Sequence, residues 1–233
     1  MKKLVLTLSA FLIIISLNAQ SLEDIIGKYT VANKLDKITS FKSLKITGKV
    51  SVMGMDMPVE VWMKSPNKIK TVTTMNGQAT VQAFDGEKGY IINAMMGSTE
   101  PVEMTPDQVS QIQNNNVFRN ALAEYLKKGQ LTLNGEEDVN GKPAYKIKAA
   151  LEGGLNATLF IDKNSFLVVK QIADVNQGGM KISVETYPSD YKDNNGIILP
   201  MKNTVSMSGM EMVTSYSKVE VDIPIDDSVF KLK

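Results

Sequence analysis

Carboxylates are the side chains through which this chain could perform acid–base chemistry or hold a metal ion. The sequence has no histidine and no cysteine, which excludes a Ser-His-Asp triad, a thiol nucleophile and an ordinary zinc site. The closely spaced acids are Asp85 with Glu87, Glu136 with Glu137 and Asp138, Asp190 with Asp193, and Asp226 with Asp227.

All of these acids fall at predicted turns or strand ends, where solvated carboxylates are common. We therefore predict no catalytic residue, no cofactor and no metal site, and we expect a protein that is not an enzyme. A hydrolase that uses carboxylates is the alternative, and it requires two acids projecting into one cavity.

The first nineteen residues have the three-part layout of a secretory signal peptide. Lys2 and Lys3 precede an apolar run from Leu4 to Leu17, and Asn18-Ala19 follows with a small residue at the cleavage position. The run has about 14 residues, fewer than the roughly 20 that a membrane-spanning helix needs. We predict a cleaved signal peptide at 1–19 and export to the periplasm of a Gram-negative bacterium, with a retained anchor as the alternative.

Residues 20–233 have a length that suits a single domain. The formal charge of the whole chain is +1, and it becomes about −1 when the two signal lysines are removed. A chain so close to neutral lacks the basic surface that supplies most of the affinity for nucleic acid. We expect a monomer that does not bind nucleic acid.

Alternating apolar and polar residues predict a mainly β domain. Leu44, Ile46, Val50 and Val52 alternate with polar residues, which is typical of a half-buried strand. Dipeptides such as Asn76-Gly77 favour hairpin turns because both residues tolerate positive φ. We predict five strands within 43–93, with 53–57 as a turn, and seven more near 130–139, 143–152, 155–162, 166–175, 179–190, 197–207 and 211–222.

Two helical regions accompany the strands. Residues 21–36 have apolar side chains at helical spacing, and Ser21 with Asp24 is close to a capping box. Residues 105–128 begin with Thr105-Pro106, a cap followed by a first-turn proline, and Asn116 is the predicted cap of a second segment.

These elements predict a mainly β (α+β) fold, a half-open, strongly curved antiparallel β-barrel of 11–12 strands with helices covering the opening. So long a sheet protects its edges by curling. Aromatic residues form 6% of the chain, too few to fill a wide barrel, so we expect a ligand-sized cavity. A core packed by the helices alone is the alternative.

Methionine is abundant, with 14 in the chain, and this residue is common on surfaces that adapt to varied apolar ligands. Several methionines cluster near Gly54 and Gly209, where a cavity mouth could lie. The segment 53–57 is either a tip that touches membrane or cargo, or simply a long hairpin turn. Substitution of leucine by methionine within a core is the structural alternative.

Four segments carry motifs of a known family. Asp85-Gly86-Glu87-Lys88-Gly89-Tyr90 has the pattern DG-x-x-G-[WY]. The others are 160–162 with 166–170, 187–192 with 197–200, and 224–230. In this order they resemble hairpins and the C-terminal ending of the LolA-like outer-membrane lipoprotein-sorting family, over nearly all of 20–233. The resemblance implies a half-open barrel whose helical lid covers an apolar cavity for acyl chains.

The same resemblance implies a carrier that moves acylated lipoproteins from an inner-membrane exporter to an outer-membrane acceptor. Those carriers latch the lid with a buried arginine on an early strand, whereas Arg119, in the second helical region, is the sole arginine here. Another polar group must latch the lid, or the cargo differs. The acceptors are lipoproteins with an N-terminal cysteine, which this chain lacks. An envelope sensor or adaptor that binds a protein partner is the alternative function.

The predicted ligands are lipoprotein acyl chains or lipid. The residues predicted to form the cavity or its lid are apolar side chains of the two helical regions, of an early strand and of one late strand. Trp62 lies either at the cavity rim or packed outside. The set is Ile25, Ile26, Tyr29, Val59, Val61, Trp62, Met63, Phe118, Leu122 and Met201.

Overall fold

A computed structural model describes residues 20–113, 116–151, 156–177, 180–207 and 209–233. The predicted signal peptide lies outside the described residues. The three α-helices of the described part are α1 (Leu22–Ala32), α2 (Pro106–Gln113) and α3 (Ala121–Lys127). Its strands are β1 (Ser43–Val52), β2 (Met55–Lys64), β3 (Lys68–Met75), β4 (Gln78–Phe84), β5 (Gly89–Asn93), β6 (Val102–Glu103), β7 (Leu131–Val139), β8 (Lys142–Ala150), β9 (Asn156–Asp162), β10 (Val168–Gln177), β11 (Met180–Asn194), β12 (Ile197–Met207) and β13 (Met210–Val221).

The described strands form one antiparallel sheet of 13, in the order β6-β5-β4-β3-β2-β1-β13-β12-β11-β10-β9-β8-β7. The sheet is strongly curved but not closed, because its edge strands β6 and β7 do not pair with each other. The predicted half-open, mainly β architecture is confirmed. The strand beyond the predicted 11–12 is β6, which pairs Val102 with Ile91 and is too short to show alternation.

Hairpin turns fall where the sequence predicts them. Asn76-Gly77, Asn140-Gly141 and Asn195-Gly196 each have positive φ at both residues, the backbone conformation of a two-residue hairpin turn. The first hairpin differs from the prediction. Its turn is Met53-Gly54 alone, since β2 begins at Met55, which pairs with Val52. Because the residues on both sides of this turn are extended and alternate between apolar and polar, β1 and β2 pair almost to the tip of the hairpin.

The helix caps agree with the sequence in two cases of three. The Ser21 hydroxyl accepts a hydrogen bond from Asp24 N at 3.1 Å, and Thr105 caps α2 by accepting from Gln108 N at 3.3 Å. The predicted cap at Asn116 is wrong: the side chain of Asn120 caps α3, accepting from Ala123 N at 3.1 Å. Asn116 instead donates to the Pro66 carbonyl oxygen at 2.7 Å, which ties the interhelical segment to the β2–β3 turn.

A small core cluster contains Val139, Ala144 and Phe160, and two larger clusters lie between the sheet and the helices. One packs Ile112 of α2 and Phe118 against the early strands, around Leu44, Val61 and Met63. The other packs α1 and α3 against β7, β8 and β9 through Ile25, Ile26, Leu122, Ile147 and Ile161. The helices therefore cover one face of the sheet, and the space between the two clusters determines what else that face can hold.

Candidate ligand cavity

A cavity of about 520 Å³ lies between the helices and the later strands. Residues of α1, α2 and α3 form one wall, and residues of β8, β9, β10, β11 and β12 form the other. The volume falls within the roughly 300–1,000 Å³ typical of small-molecule sites. Most lining side chains on the sheet are apolar, among them Leu151, Leu159, Val168 and Leu199.

A row of three alanines leaves room for this cavity. Ala157 of β9 pairs with Ala149 of β8 on one side and with Ala173 of β10 on the other, and all three line the cavity. Cross-strand partners point to the same face of a sheet. Three methyl groups therefore stand side by side where larger side chains would fill the space beneath the helices.

Two tyrosines supply polar groups at the wall formed by α1 and β11. Burial raises the pKa of Tyr29 to about 12, and burial, followed by the neighbouring Tyr29, raises the pKa of Tyr191. Both hydroxyls are therefore neutral at physiological pH. The Tyr191 hydroxyl donates to the Val168 carbonyl oxygen at 2.9 Å. The Tyr29 hydroxyl forms no hydrogen bond with the described part of the chain, although Tyr29 lines the cavity.

The helix that carries Tyr29 is anchored by a buried amide. The side-chain nitrogen of Asn33 donates to the Tyr29 carbonyl oxygen at 2.9 Å and to the Phe166 carbonyl oxygen at 3.3 Å. The second bond joins the end of α1 to the β9–β10 turn. Lys34 adds an exposed ion pair to Asp193. These contacts attach α1 to the sheet edge below the cavity.

Charged side chains line the cavity near α2, where most residues are exposed. Arg119 lines it and forms an ion pair with Glu124 of α3. Asp107 and Asp174 line it too, and the Asp174 carboxylate accepts a hydrogen bond from the Ser183 hydroxyl at 3.1 Å. Asp107 and Asp174 are not joined by a hydrogen bond in the described structure. The cavity thus combines an apolar sheet wall with a polar edge.

Of the ten residues predicted to form the cavity or its lid, Tyr29 and Leu122 line it. Ile25 and Ile26 are buried behind it, beneath α1. Four more belong to the core cluster under the early strands, and Met201 is buried beside the lining residue Pro200. Those four are Val59, Val61, Met63 and Phe118.

Trp62 lies on the opposite face of the sheet from the core residues Val61 and Met63. Its ring has the ammonium groups of Lys45 and Lys70 at 5.0 Å and 5.9 Å from its centroid. Of the two positions considered for this residue, the structure therefore places it outside, among lysines. Its fluorescence is not expected to respond directly to a ligand in the cavity.

The sequence-based set missed the alanine row and the strand residues around it. Alternation along β8 and β9 marks Ala149 and Ala157 as inward-facing. A signal was therefore present, since small residues at inward positions of neighbouring strands leave space. It could be used only once the register of β8, β9 and β10 was known.

The closely spaced acids lie at or near turns or strand ends, as predicted, except Asp190: it lies within β11 with φ of +54°, so the prediction is wrong for this residue. Asp85 accepts hydrogen bonds from the backbone N–H groups of Glu87 and Lys88 at 2.9 and 2.8 Å, which lowers its pKa. The acids that accept a turn N–H in the same way are Asp138, Asp193 and Asp226. The acids held in ion pairs with lysines are Glu136, Glu137 and Asp227. None of these acids belongs to the described lining of the cavity.

Across the described residues, no group of three or more acids is placed to hold a metal ion. None of the described helices is long and apolar enough to cross a membrane.

Comparison with known proteins gives matches only at the level of structure. No family model and no curated protein matches the sequence. An outer membrane lipoprotein-sorting protein domain from Vibrio parahaemolyticus superposes with a TM-score of 0.59 at 10% identity, covering 89% of this chain and 94% of that one. A LolA superfamily protein from Nitrosomonas europaea superposes with a TM-score of 0.53 at 14% identity, covering 85% and 96%.

The chain has the LolA-like fold.

A DUF1329 family protein from Desulfovibrio piger is also similar, with a TM-score of 0.62, 14% identity, and 89% and 97% of the two chains covered. Each of these superpositions covers at least 85% of this chain, so the LolA-like fold describes most of its length. At such low identity they establish the fold and leave the ligand to be argued from the cavity itself.

Proposed function

We propose that this protein is a periplasmic binding or carrier protein that shields acyl chains of lipoproteins or lipids during transfer toward the outer membrane. The observation that carries the proposal is the cavity between the helices and the alanine row of β8, β9 and β10. A protein of the same fold is a lipoprotein-sorting domain by name, which supports this choice of ligand.

The physical need for such a cavity is the cost of exposing hydrocarbon to water. Each exposed methylene costs about 0.8 kcal/mol, so a long acyl chain cannot cross an aqueous compartment unshielded. The cavity of about 520 Å³ is in the middle of the range for small ligands. We therefore propose one acyl chain in the observed geometry, and an outward movement of the helices for a cargo with several chains.

The role requires binding and release without covalent chemistry. Residues 1–19 act as a cleaved signal peptide, and residues 20–233 act as one domain and as a monomer. An inner-membrane exporter would load the cavity and an outer-membrane acceptor would empty it. Arg119, beside the cavity and paired with Glu124, replaces the early-strand arginine as the positive charge next to the helices.

Filling the cavity tests the proposal. Ala157→Phe places a ring among the three alanine methyl groups, so we expect at least about tenfold weaker binding of cis-parinaric acid in a fluorescence titration, because the ring occupies the apolar site. Thr158→Phe is the matched control, since Thr158 pairs with Lys148 and Ile172 on the opposite face. The control should bind as the unmodified protein does.

Two results would contradict the carrier role. One is the absence of parinaric acid binding by the unmodified mature protein, and the other is equal binding by Ala157→Phe. Native mass spectrometry of protein purified from the periplasm provides an independent measurement, in which co-purified lipid or lipoprotein is expected. A stable protein partner without any lipid would instead support the sensor or adaptor role.

A further inference from the structure

Methionines are concentrated at one end of the sheet. Consecutive antiparallel strands turn alternately at the two ends, so the connections after β1, β3, β5, β8, β10 and β12 share one end. We call this end the methionine rim, and define it by methionines in or beside those connections: Met53, Met55, Met75, Met96, Met210 and Met212. Methionines of the core, such as Met63 and Met104, lie elsewhere.

Side chains of the methionine rim project into solvent. Met53 and Met96 are each 83% exposed, Met55 is 55% exposed and Met210 is 51% exposed. Two of the tips are neighbours, because Val52 pairs with both Met55 and Met212. Together they form an exposed apolar surface that adds nothing to the core, and such surfaces mark contacts with membranes or partners.

The backbone conformation at position 53 does not favour methionine, so the fold does not explain why methionine occupies this position. Met53 has φ of +50° and is followed by Gly54 at +80°. Among the described residues, three other hairpin turns with this pair of conformations begin with asparagine, at Asn76, Asn140 and Asn195. Asparagine tolerates positive φ much better than a long side chain does. Met53 therefore carries a local conformational cost with no packing contact that offsets it.

The charged residues near the methionine rim indicate what kind of surface the rim can bind. The turns at 53–54, 76–77 and 209 hold no charged residue, whereas the β5–β6 connection holds the exposed Glu100 and the segment after β8 holds Glu152. The nearest charges below Met53 cancel, since Lys49 and Asp56 form an ion pair at 2.6 Å, and Glu211 adds a single negative charge. Turns at the opposite end carry Asp85, Glu87 and Lys163. A rim whose hairpin tips are mostly apolar and uncharged suits a zwitterionic interface better than a strongly charged partner.

We propose that the methionine rim docks on a lipid bilayer, with its hairpin tips in the headgroup region. The strands β1, β12 and β13 are paired on both sides almost to the tips at 53–54 and 209, so the methionines there can enter the interface with few unpaired backbone groups. Flexible thioether side chains adapt to irregular apolar surroundings. This docking goes beyond the carrier role and does not depend on the cavity.

The test measures co-sedimentation of the mature chain with phosphatidylcholine vesicles. Met53→Asn combined with Met210→Ser removes two exposed methionines, so we expect about a tenfold or larger fall in partitioning. The melting temperature should not fall, because asparagine suits the turn at position 53. Val31→Ser is the matched control, since Val31 on α1 is 72% exposed but remote from the rim, and it should bind as the unmodified protein does.

Three outcomes would overturn the docking proposal: no binding of the unmodified chain to vesicles, equal binding by the double variant, or equal weakening by Val31→Ser. Loss of binding on raising the salt concentration would also overturn it, since apolar insertion is not screened. A dimer in solution that the double variant splits would assign the rim to a second copy instead. Ala157→Phe should keep its vesicle binding, so a failure of the cavity hypothesis is distinguishable from a failure of docking.

Discussion

Asp227 shows how an acid that could have belonged to an active site serves the fold instead. Its carboxylate accepts hydrogen bonds from Lys64 at 2.6 Å and Lys68 at 2.7 Å, which join the C-terminal segment to β2 and β3. Phe230, three residues on, is buried in the core. The hydrogen bond from Lys64, followed by that from Lys68, lowers the pKa of Asp227 from 3.8 to about 2.

We predict that Asp227→Asn lowers the free energy of unfolding at neutral pH by a small amount. A depressed pKa stabilises the folded state above the unfolded value of 3.8, and this contribution is lost as pH falls toward about 2. Urea unfolding at several pH values should therefore show a difference from the unmodified protein that shrinks over this window. Asp36→Asn, at an exposed site without an ion pair in the described structure, is the control for removing one negative charge.

The helices that form one wall of the cavity are short, so their stability depends on contacts between them. The described helices have 11, 8 and 7 residues, and isolated helices shorter than about 12–15 residues are marginal in water. Asn120 stabilises α3 in two ways, because it caps the helix and donates from its side-chain nitrogen to the Thr30 hydroxyl of α1 at 2.8 Å. One residue thus joins both helices that face β8 and β9.

Substitutions at this junction should separate the two contributions. We predict that Asn120→Ala lowers the free energy of unfolding by about 1–2 kcal/mol, because the cap and the interhelical bond are both lost. Thr30→Val should cost about 1 kcal/mol or less, since the cap remains. Chemical denaturation of both variants and of their combination measures the coupling. A cost at Asn120 no larger than that at Thr30 would show that the cap is not stabilising.

At the scale of the whole molecule, α2 is much less deeply packed than the strands that it covers. Ile147, Phe160 and Ile161 of β8 and β9 are fully buried, whereas α2 buries Ile112 and exposes most of its other residues. Local stability follows buried apolar contacts. If the cavity opens, the opening therefore occurs on the side of α2.

We predict that amide hydrogen exchange differs between α2 and the buried strands β8 and β9. Amides of α2 should exchange at least about tenfold faster than those of β8 and β9, because opening α2 disrupts few buried contacts. Bound parinaric acid should slow exchange in α2 and α3 and leave β2 and β3, which do not line the cavity, unchanged. Uniform protection across the sheet and helices, with or without ligand, would contradict the assignment of α2 as the movable wall.

Local sequence signals determined most of the elements of this protein. Positive φ at Asn-Gly pairs, two-residue alternation and the caps at Ser21 and Thr105 depend on neighbours within four residues, so they are legible without the structure. The absence of histidine and cysteine likewise excluded a Ser-His-Asp triad, a thiol nucleophile and an ordinary zinc site without the structure. The segments that resemble the LolA-like family, 85–90 and the three later ones, added a prediction of the LolA-like fold to these local predictions.

The tertiary structure alone decided where the cavity and the methionine rim lie. Ala149, Ala157 and Ala173 form one row only because β8, β9 and β10 pair in a particular register. Met53 and Met210 lie in neighbouring hairpin tips because β1 pairs with β13, although more than 150 residues separate them in the chain. The choice of Asn120 over Asn116 as a cap likewise followed from contacts with α1 and with the β2–β3 turn. Pairing between distant segments places these side chains, and no local pattern encodes it.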